Sequence, residues 1–456
     1  MSPPTRRLRK FTTVLAAFAL TAAACGGGGD DKEGDASGAV DEKVTITVGC
    51  MPAKSQPAQR KEWQEDVAAF QKLHPNITVV GKDPFPCADP KTFTAKLAGG
   101  QMEDVFYTYF TDVRKVVESG QAADISKYTG SIKQFPDLIP SVKQLYSDGD
   151  KLYGLPRQNY AMGLIYNRSL FTKAGLDPDR PPTTWAQARE YAKKISGLGN
   201  GTVGFAELSA GNQGGWHFTT EIYGQGGEVV TADGKKAAFN SPQGRAVLQN
   251  LQQMRWTDDS MGTKQLLQGA DVQRMMAAGK VGMYVSAPDE VTALVDQFQA
   301  EYEDYGLAPM PEAKGTLLGG DGYMFNVKAS PAKIKAGLLW LEYYALTPGQ
   351  GQFNYVRAAA NKRAVGLPQP NFYQGRTAAT DQDLRAKSAN VPVANYKPYQ
   401  AAVTGIPGKL EPPNAQEIYA TLDTVMSAVL TRRDANIDQL LADAEKKVNN
   451  ILLRAN

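Results

Sequence analysis

The stretch LPRQNYAMGLIYNRSLFTKAGL, residues 155–176, decides the fold. A proline leads into the polar and aromatic run Arg157-Gln158-Asn159-Tyr160. An apolar, β-rich segment ending in Tyr166-Asn167 follows, and then a short helix closed by Gly175. Polar side chains gathered where a chain leaves one structural unit and starts another face a cleft, so the segment reads as a hinge or as part of a site. Upstream, VTITVGCM alternates like a strand, and RKEWQEDVAAFQKLHP sets Trp63, Val67, Phe70 and Leu73 on one helical stripe. NITVVG and DVFYTYF are further strands. Alternating strands and helices imply parallel pairing and an α/β sheet.

Downstream, PPTTWAQAREYAKKISGLG predicts a helix capped by Thr184, with Gln187 completing a capping box and Gly197 or Gly199 ending it. Strands are expected at TVGFAEL, KVGMYVS, YGLAPMP and YMFNVKA. A long helix starts at Ser330-Pro331 and stops at Thr347-Pro348-Gly349. Near the end, QEIYATLDTVMSAVL buries Ile418, Leu422, Val425 and Val429 at helical spacing. At 456 residues, two domains are the default expectation.

The formal charge of +3 comes from residues 1–24, which carry Arg6, Arg7, Arg9 and Lys10 and no acid, so the remainder is formally −1. A near-neutral chain lacks the basic stripe of a nucleic-acid binder. RRLRK followed by FTTVLAAFALTAAA reads as a signal peptide, too short to span a bilayer with margin and followed by a polar tail. Ala22-Ala23-Ala24-Cys25 is similar to a bacterial lipobox, with Ala22 where leucine is preferred. Cys25 is therefore expected to carry the lipid; an ordinary cleavage site is the alternative. Arginines 6 and 7 leave export by Sec or Tat open. Residues 25–42 form a Gly-rich, acidic tether, and two acyl chains suffice for stable anchoring. Cys50 and Cys87 each follow a strand. If those strands are parallel neighbours the two meet at one sheet edge and bridge, as an oxidising compartment permits; two free thiols are the alternative.

Catalytic motifs are sparse. Residues 199–204 match GxGxxG but follow a helix and precede a strand, the reverse of a dinucleotide site. Gly279-Lys280 is followed by Val281, so it is no P-loop. Two histidines, His74 and His217, leave little for a His-based zinc site or a Ser-His-Asp triad. The aromatics say more. FYTYFTD (106–112), QNY (158–160), GGWHF (214–218), YVSAPD (284–289) and GGDGYMF (319–325) place rings and short polar groups where strands end, the side on which open α/β sheets bind ligands. Phe106, Phe218 and Phe325 read as core. Trp216, after two glycines, reads as a ligand residue.

In order along the chain, GLP, LIYNRSLFTKAGLDPDRPPTTW, AAGKVGMYVS, Gly319-Gly320 before YMFNVKAS, and the closing EPPNAQEIYATLDTVMSAVL onward resemble the carbohydrate-binding group of extracellular solute-binding proteins of ABC importers, the maltose-binding-protein-like family. The resemblance implies two α/β lobes of type II with a cleft between them: lobe I from 43–157 and 322–400, lobe II from 158–321 and 401–456. Chain crossings would fall near 155–163, 316–323 and 400–413. It also implies ligand contacts at Tyr109, Asp112, Tyr160, Trp216, Ser286, Asp289, Asp321 and Tyr323, with Arg363 as a further candidate. Asp289 stands where the family often has tryptophan, which exchanges a stacking platform for an acceptor. No catalysis, cofactor or metal is implied. The implied partners are a sugar, a permease pair driven by an ATPase, and the outer face of the bacterial membrane, with the protein a monomer. A polyamine, metal chelate or anion in the same fold is the alternative ligand, and a secreted glycoside hydrolase the remote one.

Overall fold

The computed structural model describes residues 40, 42–54, 56–82, 87, 90–370 and 372–454. The expected leader, the tether up to residue 39 and Cys25 lie outside them. Twelve strands occur among the described residues: β1 Val44–Val48, β2 Ile77–Gly81, β3 Val105–Tyr109, the short hairpin β4 Ser147–Asp148 and β5 Lys151–Leu152, β6 Gly154–Ala161, β7 Gly163–Asn167, β8 Val203–Phe205, β9 Val281–Ser286, β10 Tyr305–Ala308, β11 Thr316–Phe325 and β12 Gly408–Leu410.

They build two main sheets. The first runs β12-β11-β3-β1-β2, with β6 also paired to β11; the second runs β10-β7-β9-β8. The β1/β2 and β1/β3 pairs are parallel, while β11 runs antiparallel to both β3 and β6. The opening stretch straddles the two sheets. β6 ends at Ala161 opposite Leu318 in the first, and β7 begins at Gly163 opposite Ser286 in the second. Met162 bridges them: its N–H donates to the Leu317 carbonyl at 3.0 Å, and its own carbonyl accepts from Thr316 Oγ1 at 2.7 Å.

Each sheet has its own core. Ile46, Val48, Phe70, Val105, Phe106 and Phe325 fill the first. Leu164, Phe205, Phe218, Leu251 and Met283 fill one face of the second, joined there by Ile418, Leu422, Val425 and Val429 of the helix Ala415–Thr431. The other face holds Ile165, Tyr284, Tyr305 and Leu307. Residues 391–400, expected within lobe I, pack on this second sheet together with the 401–403 segment that follows. Val391, Tyr396, Tyr399 and Val403 join that face, and the Tyr399 hydroxyl donates to the Ala161 carbonyl at 2.6 Å.

Cys50 and Cys87 are bonded, as the parallel β1/β2 pairing allows. On the helix Pro57–Leu73, Trp63 and Phe70 are buried, but Leu73 in the last turn is 64% exposed. That helix instead buries Glu62 and Asp66. Arg357 grips Asp66 with both guanidinium nitrogens at 2.7 and 2.8 Å, and Asn361 and Arg363 take Glu62. At the helix Trp185–Ser196, Thr184 Oγ1 caps the Gln187 N–H, but the Gln187 side chain returns to Thr183 rather than to the cap residue.

Candidate functional site

The C-terminal ends of strands in both sheets carry acids at helix starts. On the first sheet, β3 ends at Tyr109, and the helix Phe110–Glu118 that follows places Asp112 in its first turn. On the second, β9 ends at Ser286, and Asp289 opens the helix Asp289–Phe298. A first-turn carboxylate sits at the positive end of a helix dipole, which favours its charge. Desolvation outweighs that at both positions and raises both pKa values.

Between them lies the β6/β11 ribbon. Tyr160 stands opposite Gly319, and its ring covers that glycine so closely that a Cβ there would overlap the phenol. The Tyr160 hydroxyl is held protonated, first by burial and then by the charges of Glu411, Asp289, Asp321 and Tyr109. Tyr160 thus feels acids carried by both sheets, Asp321 on β11 and Asp289 just after β9. Asp321 is committed: Arg157 grips it through Nε at 2.6 Å and Nη2 at 2.7 Å. Gln352 holds Arg157 in turn, accepting from Nη1 at 3.3 Å and donating to its carbonyl at 2.8 Å. The guanidinium lies over the Tyr107 ring, 5.8 Å from its centroid, and Tyr107 meets Tyr109 edge-on at 5.3 Å. Tyr109 presents its ring outward, 39% exposed.

Glu411 is a further candidate residue, not singled out in the sequence. It follows β12 and precedes Pro412-Pro413, and Tyr419 donates to it at 2.9 Å. Burial, with the nearby Asp112 charge, pushes its pKa up to about 7, against the opposing Tyr419 bond. Its signal was positional: it falls inside the 400–413 crossing.

The other expected residues lie as follows. Trp216 is half-buried on the helix Gln213–Gly224, with its ring 5.2 Å from that of His217. The two preceding glycines serve packing rather than ligand approach, since a Cβ at Gly215 would overlap the Tyr419 backbone and one at Gly214 would meet Asp423. Ser286 is nearly buried beside Tyr284. Tyr323 is 2% exposed, opposite Tyr107 in the β11/β3 pairing, and is walled into the first core. Arg363 is exposed at the surface and pairs with Glu62. Behind Trp216, His217 Nδ1 meets Glu207 at 2.7 Å, and Glu221 lies one helical turn on; all three are buried. Burial lowers the His217 pKa to about 4 and raises that of Glu207 to about 8. No group of three or more His, Cys, Asp or Glu among the described residues is arranged to hold a metal.

The sequence pattern of the bacterial extracellular solute-binding proteins matches residues 53–351. The chain belongs to that family. A Brucella abortus protein named only as a binding protein is 28% identical over 296 residues, 62% of this chain and 67% of that one. The sn-glycerol-3-phosphate-binding periplasmic protein of Escherichia coli is 36% identical over 78 residues, 17% of this chain and 18% of its own length. Among solved structures, an ABC transporter solute-binding protein of Thermotoga lettingae bound with α-D-tagatose superposes with a TM-score of 0.69 at 22% identity, covering 90% of this chain and 99% of that one. The solute-binding chain described here shares that two-lobed fold.

Proposed function

We propose that this solute-binding protein is the substrate-binding component of an ABC importer and captures a neutral carbohydrate, an oligosaccharide, between its lobes without transforming it. The observation that carries this reading is the chemistry around Tyr160: the Tyr109 ring, 39% exposed, beside carboxylate acceptors from both sheets, with Arg157 already bound by Asp321. Aromatic rings pack on the C–H faces of a sugar while carboxylates accept from its hydroxyls. A phosphate would meet Asp112, Asp289 and Glu411 and would have to displace Asp321 to reach Arg157. Those same carboxylates give a second reading, a polyamine. A ligand touching both lobes binds the closed state better and shifts the population toward it. The closed form would then dock on a permease pair at the outer face of the membrane. The leader, the lipobox-like Ala22–Cys25 and the Cys50–Cys87 bridge support export and anchoring there.

A thermal-shift panel tests the ligand class. The chain from Val44 onward is heated with mono- and oligosaccharides, spermidine and sn-glycerol-3-phosphate. A bound ligand raises the unfolding temperature in proportion to the logarithm of its concentration over Kd. The expected result is stabilisation by a neutral sugar. Stabilisation by spermidine or the phosphate alone would overturn the reading.

A further inference from the structure

Behind Trp216 lies a buried polar cluster that the ligand reading leaves unused. Glu207 stands two residues beyond β8, and Ser209 follows it. His217 and Glu221, one helical turn apart on the helix Gln213–Gly224, share one face of it. All four side chains are 1% exposed or less. His217 Nδ1 meets Glu207 Oε1 at 2.7 Å, while the second Glu207 oxygen, Oε2, and Glu221 Oε1 have no donor. The two carboxyls lie within hydrogen-bonding reach of each other, and among the described residues no Lys or Arg charge acts on either. Neighbouring acids are already occupied. Glu290, whose charge reaches His217, accepts from Tyr284 at 2.6 Å and from Gln273 at 3.1 Å. Asp423 accepts from the Gly214 N–H at 2.8 Å.

Buried polar atoms are normally hydrogen-bonded, and two carboxylate oxygens without a donor between them repel. One proton between Glu207 Oε2 and Glu221 Oε1 satisfies both and leaves a single negative charge rather than two. His217 completes the chain as a neutral ring, because burial disfavours its charged form, and its Nδ1–H donates to Glu207. Trp216 is tied to this chain on both sides. It precedes His217, with the two rings 5.2 Å apart, and its carbonyl accepts from Thr220 Oγ1 at 3.1 Å, next to Glu221. We infer that Glu207 and Glu221 share one proton and, with His217, position Trp216 for the ligand. This rests on the carbohydrate reading above, in which Trp216 is a ligand residue. Loss of the proton to solvent sets two carboxylates against each other in the core. Their repulsion pushes the helix Gln213–Gly224 from the segment carrying Glu207 and displaces Trp216, so ligand affinity is tied to that proton.

The test compares the wild type with Glu207→Gln and Glu221→Gln. In each variant the amide N–H donates to the remaining carboxylate, so the bond survives without a titrating proton. Trp216 emission is isolated by subtracting the spectrum of the same chain carrying Trp216→Phe, and affinity for maltose, cellobiose and chitobiose is measured by calorimetry. In the wild type, as pH rises through about 8, the emission should shift and the affinity should fall about tenfold, with circular dichroism unchanged. Both Gln variants should bind as the wild type does below that pH and lose the step. Glu411 titrates lower, at about 7, and is intact in both variants, so it does not supply the difference. Wild-type emission that stays flat, an emission shift without loss of affinity, or Gln variants that repeat the wild-type step would each overturn the network and leave carbohydrate binding standing. Binding of none of the three sugars would overturn the carbohydrate reading, while the emission titration, which needs no ligand, still decides the shared proton.

Discussion

Asp321 accepts both arms of Arg157, with its side chain 5% exposed against 20% for the arginine. Removing one partner of a buried pair leaves an uncompensated charge, so Asp321→Ala is expected to lower stability by about 3–5 kcal/mol. Urea denaturation measures it; a loss under about 1 kcal/mol would place the pair among the weak surface bridges. The buried acids make a second prediction. Glu411 and Glu207 have folded pKa values of about 7 and about 8, above the ordinary 4.5. The folded state therefore holds more protons than the unfolded one between those limits. The stability these groups contribute is complete below 4.5 and is lost as pH rises through 7 and 8. His217 works in the opposite sense, lowered from 6.5 to about 4, so its contribution is lost only as pH falls below 6.5. The unfolding temperature should thus decline from pH 6.5 to above 8, and Glu207→Gln should flatten that decline. A wild-type profile that is flat or rising over this range contradicts the assignment.

At the scale of elements, the helices Gln213–Gly224 and Ala415–Thr431 approach closely at Gly215 and Tyr419. Alanine at 215 gains about 1 kcal/mol of helix propensity. Overlap with the Tyr419 backbone should outweigh this, for a net loss of about 1–3 kcal/mol. Denaturant unfolding of Gly215→Ala checks it, and a stabilised variant would show that the helices can separate without cost. This contact also marks where sequence reading stops. Strands such as Val44–Val48 and Val281–Ser286 were legible because apolar β-formers declare themselves locally. Phe106, Phe218 and Phe325 were legible as core for the same reason. The partners of a glycine are not local: Gly214-Gly215 looked like an approach path for a ligand because Tyr419 lies far along the chain. Nor does the sequence show that Asp66 is buried, since its partner Arg357 is 291 positions distant. Glu411 was missed because nothing in its own neighbourhood shows that Asp112 and Tyr160 fold toward it.

At the scale of the whole molecule, acids from two sheets face one ribbon, and the β6-to-β7 passage at Met162 lets the chain belong to both. The resemblance to the maltose-binding-protein-like family was enough to imply two lobes. The placement of residues 391–400 on the second sheet was not legible, because the aromatic side chains there would suit either core. The central claim is that a solute is held between the lobes, by residues of each. The direct measurement is titration calorimetry of the stabilising sugar against Asp112→Asn, on the first lobe, and Trp216→Ala, on the second. The account predicts that each substitution weakens binding by about tenfold or more while leaving the fold intact by circular dichroism. Unchanged affinity in both variants would put the ligand elsewhere and contradict it.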